Sequence, residues 1–150
     1  MSVKIIHGNI FDSKAPVLVN PVNCVGVMGK GLAKEFKDRY PDMFKAYKEL
    51  CDRRDFGPSL PFPLYLYKSD DCGTSILLFP TKMHWNNPST LRIIESGLRE
   101  FVNTYEMRDI KHIAFPALGC GCGGLSWNDV RPLMVKYLAN LPIKVEVYIK

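Results

Sequence analysis

The chain has 150 residues, 47% of them hydrophobic and 23% charged, which is the make-up of about one globular domain and excludes a disordered tail. Its apolar runs are too short to span a bilayer, and Met1-Ser2-Val3-Lys4 opens into a strand-like segment rather than an apolar signal region, so no membrane and a cytoplasmic location are expected. Twenty Lys+Arg against 15 Asp+Glu leave a net charge of +5, which suits a polyanionic partner and equally suits ordinary solvated faces. The five cysteines are an odd number without the spacing of a secreted disulfide framework, in keeping with a reducing compartment.

Taken in order, Val3–His7 reads as a strand closed by Gly8-Asn9, and Pro16–Asn20 as a second, apolar strand. A glycine-punctuated loop, Cys24–Gly31, opens into a helix over Leu32–Tyr40 with its apolar residues on one face. Pro41 suits the first turn of a further helix that carries Met43, Phe44, Tyr47, Leu50 and Cys51. Leu64–Tyr67 and Ser75–Phe79 read as strands joined by the turn-rich Ser69–Gly73. After Pro88, the residues Leu91, Ile94, Leu98, Phe101 and Tyr105 form an amphipathic helical stripe. Ile110–Phe115 is another strand, followed by the loop Pro116–Gly124. Ser126 reads as an N-cap with Asp129 in the first turn, and Pro132 implies a loose start to that helix. Ile143–Ile149 alternates and is the last strand. Strands and helices alternate, which gives an α/β fold with a mixed sheet between helical layers, expected as one domain over 1–150.

Two glycine-rich segments each lie between a strand and a helix, where ligand loops gather in such sheets. Glycine lets the backbone approach an anion, and the N–H groups of the helix start favour phosphate, so the two loops fit a pyrophosphate held from both sides or, alternatively, two tight turns. Neither is a standard nucleotide motif. Gly26–Gly31 lacks the spacing and the Lys-Ser/Thr ending of a Walker A loop. Gly119, Gly121 and Gly124 match G-x-G-x-x-G, but Ile143-Lys144 stand where a ribose-binding acid belongs. No metal site is expected, because Cys120 and Cys122 have no second pair and His7, His84 and His112 are scattered. A nucleophilic pair of Cys120 or Cys122 with His84 or His112 has no specific support, and a small cysteine replacing Ala or Ser in a tight loop is the simpler role. Lys82, in Thr81-Lys82-Met83-His84-Trp85, emerges at a strand end. A lysine there is a point charge for phosphate, a Schiff-base nucleophile or an ordinary surface lysine.

Five ordered segments together resemble a macrodomain: Gly8-Asn9-Ile10-Phe11, Val19–Asn23, Met28–Ala33, Phe79–Lys82 and Pro116–Trp127. The resemblance spans essentially the whole chain and is strongest to the branch with the antitoxin macrodomain of the DarT–DarG pair and the terminal ADP-ribose glycohydrolases. It implies a three-layer α/β/α domain that binds ADP-ribose in a cleft above the sheet, without a cofactor or metal.

Residue by residue, the resemblance implies that Asn9 and Ile10 face the adenine, with Asn9 where the family usually has Asp. It sets Asn23 near the distal ribose with Asn20 as its supporting neighbour. Met28, Gly29, Lys30 and Gly31 would clasp the pyrophosphate and distal ribose together with Gly119, Cys120, Gly121, Cys122, Gly123, Gly124 and Leu125. Thr81 would lie beside Lys82, which aligns with the catalytic lysine of the branch. Relatives that cleave protein esters carry an acid where this chain has Gly123, whereas Gly123-Gly124-Leu125-Ser126-Trp127 resembles the DNA-acting antitoxin.

The implied activity is an ADP-ribosyl glycohydrolase acting on ADP-ribosylated single-stranded DNA. The rivals are an ADP-ribose 1″-phosphate phosphatase or protein-ester hydrolase, and a non-catalytic reader of ADP-ribose. The implied partners are ADP-ribosylated DNA or protein and a cognate ADP-ribosyltransferase toxin. The chain is expected to be a monomer and, ending on a strand, to lack the C-terminal toxin-binding domain of longer antitoxins.

Overall fold

The computed structural model describes residues 3–69 and 73–150. Six strands and four helices follow in order: β1 (Val3–His7), β2 (Val17–Val22), α1 (Gly31–Arg39), α2 (Pro41–Asp52), β3 (Tyr65–Lys68), β4 (Ser75–Pro80), α3 (Leu91–Thr104), β5 (His112–Pro116), α4 (Trp127–Leu138) and β6 (Lys144–Ile149). A short 3-10 turn, Ile10–Asp12, which the sequence reading missed, follows β1. The turn expected between β3 and β4 falls partly on residues 70–72, outside the described residues.

The strands form one sheet in the order β1-β6-β5-β2-β4-β3. All neighbours are parallel except the β3–β4 edge pair, which makes the sheet mixed. Alternate residues feed two cores. Val17, Val19, Leu77, Phe79, Ile113, Phe115, Val145 and Val147 pack under α3 and α4. Leu18, Val22, Ile76, Leu78 and Ala114 pack under α1 and α2. Period-2 burial on both faces is what a sheet covered by two helical layers requires.

Several boundaries shift by one or two residues from those expected, β5 for example starting at His112 rather than Ile110, and two differences have a clear local cause. β2 continues past Asn20 to Val22, because its pairing with β4 persists through Pro21. Its pairing with β5 covers Val17 and Leu18 alone, so Pro21, which has no N–H to give, lies past the end of that ladder. The second difference is at α4. Its first turn is closed rather than loose: the Ser126 carbonyl accepts from both Asp129 N (3.0 Å) and Val130 N (3.1 Å), and Pro132 falls in the second turn. The Ser126 cap itself is as expected, its hydroxyl accepting from Asn128 N at 3.2 Å.

This topology locates the site. Beyond Leu18 the β2 and β5 ladder ends, and the chain leaves β2 toward one helical layer and β5 toward the other. The strand ends part there and leave a crevice above the sheet, the position where open α/β sheets take ligands.

Candidate functional site

A cavity of about 1080 Å³ fills this crevice. Its walls are the loop after β1, the loop from β2 into α1, the segment after β4, the loop from β5 into α4, and the end of β6. The structure brings together Asn9, Ile10, Asn23, Met28, Gly29, Lys30, Gly31, Thr81, Lys82, Gly119, Cys120, Gly121, Cys122 and Gly123 on these walls. Asn20, Gly124 and Leu125 do not line it.

The reasons for these three exceptions are local. Asn20 is fully buried in the sheet, with Nδ2 between the sulfurs of Met28 (3.7 Å) and Met43 (3.8 Å). It therefore braces the floor under Met28. Gly124 follows the lining residues with a left-handed φ of +81°, and Leu125 packs against the core under α3 and α4.

The first loop is shaped by one buried amide. Asn23 Nδ2 donates to Val27 O at 2.7 Å, and its Oδ1 accepts from Val25 N (3.1 Å) and from Tyr47 Oη (2.6 Å). Tyr47 comes from α2 and is wholly buried; burial, then the neighbouring Cys51 thiol, pushes its phenol well above the usual range, so it stays a donor. The loop ends in α1, whose N-cap, Lys30, makes no side-chain cap bond. Gly31, Leu32 and Ala33, whose first-turn N–H groups have no acceptor within the helix, line the cavity at the positive end of the helix dipole.

The second loop is shaped by absent side chains. Gly119 has a left-handed φ of +74°, and its carbonyl accepts from Leu125 N at 2.9 Å. A Cβ on Gly123 would collide with Ser89 Oγ and stand 2.5 Å from the Gly119 carbonyl. Ser89, buried at the start of the α3 approach, fills the space that a side chain at 123 would need, and its N donates to Gly123 O at 2.9 Å. A Cβ on Gly121 would meet nothing within 4 Å, so that position faces open cavity.

Lys82 joins the loops. Its Nζ donates to Trp85 O at 3.0 Å and to Cys122 O at 3.3 Å. The first loop is tied to the same segment, since Cys24 N donates to Met83 O at 3.0 Å and Thr81 N to Val22 O at 2.8 Å. Two carbonyls fix two of the directions around Nζ and leave one available to a bound group.

The rest of the expected site is partly reassigned. Asn9 Oδ1 already accepts from Phe11 N at 2.9 Å, capping the 3-10 turn, so its Nδ2 is the uncommitted end. The Cys–His pairs are not assembled: His84 accepts from Asn86 N, His112 lies 3.2 Å from Glu146, and Cys120 Sγ turns back to Leu118 O. Burial raises the Cys120 thiol and pushes Cys24 up to about 12 and Cys51, also buried, to about 11, so none of these is a ready thiolate. The cavity also includes Val27, Glu35, Trp85, Asn86, Trp127 and Tyr148, which the site reading did not select. Trp85 is three residues from Lys82, and that proximity was the available signal.

Among the described residues, no helix is long and apolar enough to cross a membrane. A family model described as Macro domain matches residues 19–134. A relative from Thermosipho africanus named DNA ADP-ribosyl transferase-DNA ADP-ribosyl glycohydrolase fusion protein is 40% identical over 99% of this chain and 42% of its own length. A Mycobacterium tuberculosis relative named DNA ADP-ribosyl glycohydrolase is 42% identical over 90% of this chain and 38% of its own length. The chain thus spans about two fifths of these curated relatives. The solved structure of Thermosipho africanus DarTG in complex with ADP-ribose superposes with a TM-score of 0.92 at 41% identity, covering 99% of this chain and 42% of that one. With a parallel-centred sheet between paired helices, a cleft at the parting of its strand ends and a family match over most of its length, the chain belongs to the Macro domain family.

Proposed function

We propose that this chain is an ADP-ribosyl glycohydrolase that holds ADP-ribose in the cleft and releases it from thymidine-linked ADP-ribose on single-stranded DNA. The observation that carries the reading is the position of Lys82 Nζ, fixed by carbonyls of its own segment and of the second loop at the point where the loops meet. The uncapped start of α1 and the open Gly121 position offer backbone donors and room for a diphosphate. The names of the relatives and the ADP-ribose bound in the Thermosipho africanus structure support the same choice of ligand. The fusion of transferase and glycohydrolase in one relative supports a DNA-modifying ADP-ribosyltransferase as the partner whose product is consumed here.

In this reading the diphosphate clasp orients the anomeric carbon of the distal ribose toward Lys82. The bond from that carbon to the base breaks, the electron pair leaves with the base, and the base takes up a proton. The lysine either bonds to the carbon as an amine, giving up a proton, and is later displaced by water with the bonding pair returning to Nζ, or stabilises the developing charge as a cation while water attacks directly. In both cases water gives up a proton and supplies the hydroxyl of free ADP-ribose. Gly123 leaves no room for a second-loop acid, which weighs against the two-residue chemistry of protein-ester hydrolases.

The test is a substrate panel of modified thymidine oligonucleotide, modified protein and ADP-ribose 1″-phosphate. Lys82→Ala should slow release from the oligonucleotide at least about tenfold, some 1.4 kcal/mol of barrier, with affinity for free ADP-ribose kept within a few-fold. Lys82→Arg should restore activity incompletely, because a guanidinium keeps the charge without being a nucleophile. Equal loss of binding and rate would make Lys82 a phosphate ligand. A wild-type protein inert on all three substrates would be a reader of ADP-ribose.

A further inference from the structure

Trp85 is the most conspicuous side chain that neither the fold nor the clasp uses. It is 55% exposed, and its neighbour Met83 is 44% exposed. Single exposed apolar residues are ordinary, but this one lines the cavity, at the end where Lys82 lies. Its backbone is also fixed. Residues 84–87 form a turn in which Asn87 N donates to His84 O at 3.1 Å and Asn86 N to His84 Nδ1 at 3.3 Å. The Trp85 carbonyl receives Lys82 Nζ, and the His84 ring lies against the indole with centroids 5.2 Å apart at 36°. An indole held at the rim by its own turn, backed by one ring and otherwise open, is a flat apolar surface with little left to lose in ordering.

We propose that Trp85 is the shelf on which the nucleobase carrying the ADP-ribose stacks, so that the cleft has a subsite for the leaving group beside its clasp. The proposal rests on the glycohydrolase reading for the direction of the substrate: with the distal ribose at Lys82, the group attached to its anomeric carbon emerges at Trp85. The charge of the cleft does not oppose a nucleic acid. Among the described residues, the cavity walls carry the side chains of Lys30 and Lys82 against one carboxylate side chain, Glu35, and the last residue, Lys150, lies at the far end beside β1, so the charge is compatible with flanking phosphodiesters. Every base has a π face, so aromatic stacking accepts a base in a single strand without requiring a particular sequence around it. The shelf is separable from catalysis in one useful respect: truncating the Trp85 side chain leaves the carbonyl that holds Lys82 in place.

The test measures binding in the Lys82→Ala background, where turnover does not interfere. The parent should bind a thymidine-linked ADP-ribose oligonucleotide about tenfold more tightly than free ADP-ribose, within the range of a single base stack. Adding Trp85→Ala should remove that gain and leave the Kd for free ADP-ribose within about twofold, while Trp85→Phe should keep most of it. No gain in the parent, an unchanged gain in Trp85→Ala, or an equal loss for both ligands would overturn the shelf. An equal Trp85-dependent gain with an ADP-ribosylated peptide would also overturn it, since the subsite would then not be one for bases. Turnover by the protein with Lys82 intact is read separately. If it releases nothing while the Trp85-dependent gain persists, the shelf stands and the glycohydrolase reading fails.

Discussion

In the loop between β2 and α1, a buried network of side chains acts together with left-handed Gly26 (φ +84°) and Gly31 (φ +60°); in the loop between β5 and α4, shape comes from side chains that are missing. Asn23 and Tyr47 spend their polar atoms inside the first loop, so its conformation depends on a buried network that only those groups complete. The second loop has no such network. Gly119 supplies a left-handed turn, Gly123 leaves its Cβ space to Ser89, and Gly121 leaves its own to the cavity. The first loop should therefore be damaged by removing a group of its network, whereas the second should be damaged chiefly by adding one. They differ in electrostatics too. The first ends in a helix start without a side-chain cap, whereas the second runs into α4, whose start is already capped by Ser126. An anion gains more from the first.

The largest expected effect is at Gly123. A side chain there meets Ser89 and the Gly119 carbonyl together, and overpacking of this kind costs up to about 3 kcal/mol. Gly123→Ala, and more so Gly123→Glu, should lower Tm by about 10 °C. Ser89→Gly should restore part of the loss, because it removes one obstruction and leaves the carbonyl. A Gly123→Ala protein with unchanged Tm would mean the loop yields freely and is not shaped by absence. Two residues away the outcome should reverse. Gly121→Glu places a carboxylate where the diphosphate is proposed to lie, and like charges at about 4 Å in a partly screened site repel by several kcal/mol. Calorimetry should show ADP-ribose affinity reduced at least about a hundredfold, or about 2.7 kcal/mol, while Tm moves by no more than about 2 °C, since nothing stands within 4 Å of the added Cβ. Equal loss of stability in the two variants would erase the distinction between a structural and a ligand-facing glycine.

The architecture was legible because its signals are local. The 3–4 stripe from Leu91 to Tyr105 and the alternation from Ile143 to Ile149 are periodic patterns, and both became the expected elements, α3 and β6. The glycines announced the two loops. What the sequence could not carry were contacts between distant segments. Ser89 and Gly123 lie 34 positions apart and Tyr47 and Asn23 lie 24 apart, and neither pair has a periodicity that would join them. The same limit explains Asn20 and Leu125. Both sit inside segments with site-like composition, but pleat and packing turn their side chains away from the cavity, which spacing alone does not reveal. Trp85 was visible beside Lys82, yet nothing in the sequence distinguishes an indole at a rim from one in a core.

The smallest effect expected from the comparison lies in the first loop. Tyr47→Phe removes a hydroxyl and keeps the ring, whose edge contact with Phe56 has centroids 5.9 Å apart. The loss is the hydroxyl that serves both Asn23 Oδ1 (2.6 Å) and the Asn23 carbonyl (3.0 Å); Oδ1 keeps its acceptance from Val25 N, whereas the carbonyl loses its donor. The cost should be about 1–2 kcal/mol, or about 3–6 °C in Tm. Affinity for ADP-ribose should fall a few-fold, because Val27 and the start of α1 lose their brace. The pH dependence gives this variant a signature of its own. Burial holds the phenol protonated in the folded chain beyond the pH at which it ionises unfolded, near about 10. The stabilising contribution is therefore complete below that pH and declines as pH rises above it, because the unfolded chain then gains by releasing the proton. Wild type and Tyr47→Phe should differ by a constant amount between about pH 6 and pH 9 and converge above about pH 10. Denaturation curves that stay parallel into that alkaline range would show that the phenol is not held in the protonated form, and the first loop would then be shaped by Asn23 and the backbone alone.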